Sequence, residues 1–265
     1  MNNIQKKPVF TGLKKYTHAQ RKTIIDDLII PQLKKELADN LIAIAADGSF
    51  ARNDDTDYSD IELVVFVKDK TNVPRGIGKI YKGVLIDIAF VTEDEYYRYV
   101  LEPNPYWYLS GSDTLLPLLN NQFIKKVQEY RVRKLSQKCL TCAQNQLFEV
   151  QESFGKLFTA IRTKNSENLM PVLADATMQT LKLLAFMNEK PYTTLGSFIT
   201  QARRFLIKPD GFDEFVELIV NARYLDLEVL DMRARTLFHG IERYFHEKVG
   251  KKVYDDDLSQ LIKNK

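Results

Sequence analysis

The apolar and polar positions divide the chain into a first part with strand-like runs and a second part with helical periodicity. Short apolar runs with the length and β-branched content of strands lie at 41–46, 61–67 and 84–90. Apolar residues at helical spacing predict helices on either side of these runs, over 17–38 and 93–102. Beyond about residue 120 the pattern is helical alone, over 136–163, 169–189, 194–206, 211–222 and 226–248.

This order of elements predicts an α+β fold with two domains. We expect an N-terminal domain of β-strands and helices over residues 1–125, followed by a C-terminal α-helical domain over 126–265. A chain of 265 residues is long enough for both, because domains usually hold about 100–200 residues. Hydrophobic residues make up 45% and charged residues 28% of the chain, which is typical of globular proteins.

The charge pattern and the N-terminal sequence narrow the classes of partner. The net charge of +3 comes from 38 basic and 35 acidic residues spread along the whole chain. Because no dense basic stripe is visible, a nucleic-acid partner is not expected. The N-terminus lacks the apolar core of a signal peptide, and no apolar run approaches the ~18 residues of a membrane span. The sequence therefore predicts a cytoplasmic protein without a membrane segment.

The two cysteines, Cys139 and Cys142, stand in the order C-L-T-C, which superficially matches a redox or half-zinc motif. A second cysteine pair is missing, and the three histidines lie far away in the sequence. The spacing is that of one face of a helix, so we expect these cysteines to pack rather than react.

Carboxylates interrupt two of the apolar runs. Asp60 and Glu62 stand at i and i+2, so they project from the same side at the start of a strand. Asp87 lies inside the next apolar run, where a carboxylate is costly without a partner. If the two strands are neighbours, about 4.8 Å apart, the three carboxylates converge, and oxygen ligands of this kind favour Mg²⁺.

A Gly-Ser pair follows the first strand and adds a second kind of chemistry. Gly48 lets the backbone approach a phosphate closely, the hydroxyl of Ser49 can donate to a phosphate oxygen, and Arg52 adds a cationic fork. A phosphate site and a metal site together are typical of metal-assisted phosphoryl-type transfer. Taken singly, each acid could instead be a turn residue, a solvent-facing strand residue or a paired edge-strand residue.

The combined motif resembles a known superfamily. Gly-Ser, ten residues, an acid-apolar-acid triplet and a third acid on a later strand are similar to the polymerase-β-type nucleotidyltransferases, and within them to the kanamycin nucleotidyltransferases. Asp47 departs from that family, which has an aromatic residue at this position. The segments that carry the resemblance are GSFAR and YSDIE within 48–62, IDIAF at 86–90, LFEVQESFGK at 147–156, PYTTLGSFI at 191–199 and LFHGIERY at 237–244.

The resemblance implies an adenylyltransferase that moves AMP from ATP to a hydroxyl of a small molecule, most often an aminoglycoside antibiotic. Asp60 and Glu62 would then bind Mg²⁺ and the triphosphate, and Asp87 would complete the metal site. By the family's Glu-x-x-Gly-Lys pattern, the resemblance implies Glu152 as the catalytic base and Lys156 as a triphosphate contact. Their i,i+4 spacing is also that of an ordinary solvent-exposed ion pair. Glu149 competes with Glu152 for the role of base.

Several alternatives stay open at this stage. The acceptor could be a lincosamide, or the chain could be a nucleotide-binding or protein-modifying module that acts through a partner. Acids after the third strand could attract a polycationic acceptor or merely complement a helix dipole; they are Glu93, Asp94, Glu95 and Glu102. The resemblance also implies a mixed β-sheet with helices followed by a helical bundle, and a homodimer. The apolar segment 169–187 is either the dimer interface or the central helix of a monomeric bundle.

Overall fold

The computed structural model describes residues 12–109 and 114–249, which form two compact units. The first unit holds the described residues up to Lys138 together with the short segment Pro191–Gly196. The second unit holds Cys139–Lys190 and the residues from Ser197 onward. The predicted boundary between 125 and 126 lies inside a helix, Asn121–Gln128, whose Ile124 and Val127 pack in a core of the first unit.

The first unit combines helices with a five-stranded sheet. Helix α1 consists of three consecutive segments, of which the middle one is a π-helix: His18–Ile24, Ile25–Ile29 and Ile30–Leu37. The remaining elements are β1 (Leu41–Ala46), α2 (Gly48–Arg52), β2 (Ile61–Val67), β3 (Gly76–Tyr81), β4 (Val84–Val91), α3 (Glu93–Tyr96, continued by the π-turn Tyr97–Leu101), β5 (Leu116–Leu119) and α4 (Asn121–Gln128).

Local sequence explains how α1 starts and why its middle is π-helical. Thr17 and Gln20 form a reciprocal capping box at the first turn. Pro31 has no N–H to donate to the preceding turn. Just before it, the N–H of Ile30 donates to the carbonyl of Ile25, five residues back. The wider π-turn therefore lies directly before the proline.

The sheet is mixed, with strand order β3-β4-β2-β1-β5. β2 and β4 are parallel neighbours, and the other pairs are antiparallel. One face packs on α1 through side chains that include Ile25, Ile44 and Leu63. The opposite face forms a second core with α3 and α4 around Phe66 and Tyr96. Glu62 shares this second face with Phe66, because side chains alternate along a strand.

The second unit is helical. Its helices are α5 (Leu135–Arg162, which enters the unit at Cys139), α6 (Ser166–Met187), α7 (Phe198–Ala202), α8 (Phe212–Val220) and α9 (Leu227–Val249). Phe154 is fully buried, and its ring lies 6.1 Å from that of Phe215 and 5.4 Å from that of Phe238. The predicted fold class, a mixed sheet with helices followed by a helical part, is confirmed.

The apolar pattern of α6 is explained by packing inside one chain. Residues 183–187 are all buried in the single chain, so apolar side chains on several faces need no second copy. A homodimer stays a prediction. In the ranges that the structure describes, no helix is both long and apolar enough to cross a bilayer.

The cysteines lie on α5, as predicted. Cys139 is buried, Cys142 is half-buried, and both are free thiols. Burial, with smaller contributions from Glu189 and Cys142, raises the pKa of the Cys139 thiol to about 12. At neutral pH this thiol stays protonated and is a poor nucleophile.

Candidate active site

The two halves of the Gly-Ser and acid-apolar-acid motif meet through Gly48 and Glu62. Gly48 has a φ of +63°, a left-handed conformation that favours glycine. A Cβ added to Gly48 would overlap the Glu62 Oε2 atom and would lie 2.8 Å from its Cδ. The backbone N–H of Asp47 also donates to the carbonyl of Glu62 at 3.0 Å. Gly48 is therefore required here so that the carboxylate of Glu62 can lie against the turn.

The register of the sheet brings further carboxylates to Glu62. Asp87 is its direct partner across the parallel β2–β4 pair, and Asp60 precedes β2 by one residue. Asp47 is the N-cap of α2, and its Oδ1 accepts the N–H of Gly48 at 2.7 Å. β4 is thus the neighbour of β2, as the convergence of three carboxylates requires. Their role as metal ligands stays a prediction.

The electrostatics of Glu62 reflect this concentration of charge. Burial, followed by the negative charges of Asp60, Asp47 and Asp87, raises the pKa of Glu62 to about 7, while Arg52 opposes the shift. Burial also raises the pKa of Asp47, against the hydrogen bond from Gly48 and the charge of Arg52. Like charges held this close are stabilised by a cation placed among them.

The donor set fits a hard divalent cation. All the clustered ligands are carboxylate oxygens, which Mg²⁺ prefers. In residues 12–109 and 114–249, no three His, Cys, Asp or Glu side chains are arranged to enclose a metal ion by themselves. Protein Mg²⁺ sites commonly use one or two carboxylates and leave the other positions to phosphate oxygens and water. Asp60 and Glu62 would supply the protein share of such a site.

Asp60 and Glu62 line a cavity of about 510 Å³ in the first unit. The volume lies within the ~300–1,000 Å³ typical of small-molecule sites. One part of the wall is polar and is formed by Asp47, Gly48, Ser49, Arg52, Ser59, Asp60 and Glu62. Another part is formed by Val100, Leu109, Thr193, Thr194 and Leu195. The cavity therefore combines a charged floor with a partly apolar wall.

The segment that contributes Thr193–Leu195 comes from the PYTTLGSFI motif. Tyr192 is fully buried, and its N–H donates to the carbonyl of Tyr108 at 2.8 Å in the first unit. This contact brings the following residues to the cavity. The resemblance identified this motif in the sequence, but its position in the fold was not predicted.

Glu152 and Lys156 lie in the second unit, one turn apart on α5. Glu152 Oε1 and Lys156 Nζ form an ion pair of 2.7 Å, and the side chains are 63% and 55% exposed. The hydrogen bond and charge of Glu152, with smaller effects of Asp175 and Glu149, raise the pKa of Lys156. Together with residues of α6 such as Val172, the pair lines a second cavity of about 380 Å³. Their catalytic roles stay predictions.

Three of the acids after β4 are engaged within the first unit. Glu93 pairs with Lys126 at 2.6 Å, Glu95 with Lys70 at 3.1 Å and Glu102 with Lys138 at 2.7 Å. Glu95 also completes the capping box of α3 with Thr92. Capping and internal pairing therefore explain these acids without a polycationic acceptor.

The contact of Gly48 with Glu62 predicts opposite effects for two glycine substitutions. Gly48→Ala should destabilise the protein, because a left-handed non-glycine residue costs about 1–2 kcal/mol and the new Cβ displaces Glu62. Gly78→Ala is the control, since its Cβ would meet nothing within 4 Å and alanine in a strand gains about 0.5–1 kcal/mol over glycine. Urea denaturation measures both. Equal stability of the two variants would contradict the packing described here.

Sequence comparisons with known proteins agree with the predicted resemblance. Residues 122–250 match the KNTase C-terminal domain family. Over 233 aligned residues the chain is 22% identical to an aminoglycoside nucleotidyltransferase (4') from Bacillus sp.. The alignment covers 86% of this chain and 91% of that protein. A solved nucleotidyltransferase-like protein from Exiguobacterium sibiricum 255-15 is 13% identical, with a TM-score of 0.47 over 93% of this chain and 84% of that chain. The chain is thus similar to a nucleotidyltransferase over most of its length, and its residues 122–250 match the KNTase C-terminal domain family.

Proposed function

We propose that the chain transfers AMP from ATP to a hydroxyl of an aminoglycoside, with Mg²⁺ as cofactor. The observation that carries this proposal is the cavity of the first unit, whose wall unites the Gly48-Ser49 turn with Asp60 and Glu62. A phosphate-binding turn beside paired carboxylates suits a nucleoside triphosphate with its cation. A cytoplasmic location, where ATP is available, belongs to the same proposal.

Each residue has a defined task in the proposed reaction. Asp60 and Glu62 would hold the cation directly, with Asp87 completing the site beside Glu62, and the bound cation would compensate the charge of the triphosphate. Ser49, Arg52 and Lys156 contact phosphate oxygens. Glu152 accepts the proton of the acceptor hydroxyl, whose oxygen attacks the α-phosphorus. A new P–O bond forms as the bond to pyrophosphate breaks.

The acceptor class rests on the relative named as an aminoglycoside nucleotidyltransferase (4'). By that likeness the 4′ hydroxyl is the proposed point of attachment. A lincosamide is the second candidate acceptor, because Glu93, Glu95 and Glu102 are already paired with lysines and offer less attraction to a polycation.

One experiment tests the reaction and the acceptor together. The purified full chain is incubated with Mg²⁺, each of the four nucleoside triphosphates, and a panel of aminoglycosides and lincosamides. Product masses identify the transferred nucleotide, and NMR of the product locates the modified hydroxyl. We expect an adenylylated aminoglycoside. Products formed with lincosamides alone would overturn the aminoglycoside assignment, and an absence of any nucleotidylated product would overturn the proposed reaction.

Neutral substitutions test the metal site. Asp60→Asn and Glu62→Gln should abolish transfer, because the charge that holds the cation is lost. Neither should weaken the fold, since each removes one of several mutually repelling carboxylates. Turnover and thermal unfolding in the absence of Mg²⁺ are measured side by side. Near-normal turnover of either variant at saturating Mg²⁺ refutes the assignment.

A matched pair of substitutions on α5 tests the base. Glu152→Gln should lower kcat by about 10²–10⁴-fold while ATP still binds, because the amide cannot accept a proton. Glu149 is also an exposed glutamate of α5 and is the matched control. Glu149→Gln should change kcat little. Steady-state kinetics with the identified acceptor separate the two. If Glu149→Gln is inactive and Glu152→Gln is active, the base is Glu149, and the assignment of Lys156 is wrong as well.

A further inference from the structure

A buried arginine holds the loop that carries Asp60. Arg21 of α1 is 0% exposed, although charged side chains are rarely buried without partners. Its Nε donates to the carbonyl of Ser59 at 2.9 Å, and its Nη2 donates to the carbonyl of Thr56 at 2.6 Å. Its Nη1 donates to the carbonyl of Tyr16 at 2.9 Å. The guanidinium therefore fixes the backbone of the loop at two points and joins it to the start of α1.

Asp55 neutralises Arg21 inside the same loop. Its side chain is 2% exposed, and its Oδ2 accepts a hydrogen bond from Arg21 Nη1 at 2.8 Å. The other carboxylate oxygen, Oδ1, lies 2.7 Å from Nδ1 of His18. A planar guanidinium suits this task, because its five donors keep a fixed geometry whereas a lysine has one nitrogen.

The network continues to the Gly-Ser turn through an aromatic stack. The rings of His18 and Phe50 are 4.3 Å apart and inclined by 7°. Phe50 is 3% exposed and belongs to α2, the helix that begins at Gly48. One end of the network thus reaches the Ser59–Asp60 peptide bond, and the other end reaches the helix that follows the Gly48-Ser49 turn.

The energetics favour a positioning role over a contribution to stability. Burying an ion pair costs several kcal/mol of desolvation, and apolar replacements of similar size are often as stable or more stable. An apolar pair, however, could not donate to the carbonyls of Thr56 and Ser59. What the guanidinium supplies beyond packing is the fixed conformation of the loop.

We propose that Arg21 is a positioning residue that holds loop 55–59 so that Asp60 is presented beside Glu62 to the cation and the triphosphate. This inference rests on the proposed function for its catalytic consequence. Its structural part, a loop held by a buried guanidinium, is independent of substrate. The double variant Arg21→Met/Asp55→Leu removes both buried charges together and releases the two loop carbonyls.

The experiment compares the full-length wild type, Arg21→Lys, the double variant and Lys22→Met. Lys22 is the control, because it is the next residue of α1 and its side chain is 61% exposed. Chymotrypsin cleavage after Tyr58, which is 59% exposed in the loop, reports loop order. Calorimetry with Mn²⁺ in the absence of nucleotide reports the cation site, and kcat and KM for MgATP are measured with the identified acceptor.

We expect the Arg21 variants to be cleaved faster after Tyr58 and to bind Mn²⁺ about 10- to 100-fold more weakly, as for lost hydrogen bonds from a charged donor. KM for MgATP should rise, and Lys22→Met should match the wild type. A folded double variant with wild-type cleavage and wild-type Mn²⁺ affinity overturns the positioning role. If the wild type binds no Mn²⁺, the proposed metal site fails, and the rate of cleavage after Tyr58 still decides whether Arg21 holds the loop.

Discussion

The close packing of the Glu62 carboxylate against the backbone of Gly48 is the contact on which the rest of the candidate site depends. It requires a residue without a Cβ in a left-handed conformation. Because β2 pairs directly with β4, placing Glu62 also places Asp87 beside it. The proximity of Glu62 and Asp87 is therefore set by strand register. Burial, together with the charges of Asp60, Asp47 and Asp87, raises the pKa of Glu62.

The sequence predicted the strands whose apolar residues are buried on one or both faces of the sheet. The runs at 41–46, 61–67 and 84–90 agree with β1, β2 and β4 to within one residue. β3, with the sequence GIGKIY, was not predicted, because two glycines, a lysine and high exposure give it no apolar pattern. β5 was missed because it has four residues and contains Pro117. Both lie at sheet edges and owe their conformation to pairing.

The candidate site likewise has one part that the sequence predicted and another that it did not. Period-two alternation predicted that Asp60 and Glu62 project from one side, and Asp87 would join them only if its strand is a neighbour, a condition that the β2–β4 pairing meets. The part played by Arg21 and Asp55 could not be predicted, because their contact joins a helix to a loop and leaves no local periodicity. Likewise, no pattern in the PYTTLGSFI segment indicates that Tyr192 packs in the first unit. Non-local contacts of this kind become visible only in three dimensions.

The return of Pro191–Gly196 to the first unit has a consequence for how the protein can be divided. The family domain at 122–250 includes Thr193–Leu195, which line the cavity of the first unit. A gene fragment ending near residue 138 would encode the sheet and the acids but would lack one wall of the cavity. Exchanging the C-terminal domain between relatives would replace that wall along with the helices. Recombination with such relatives would therefore alter the cavity of the first unit together with the helical domain.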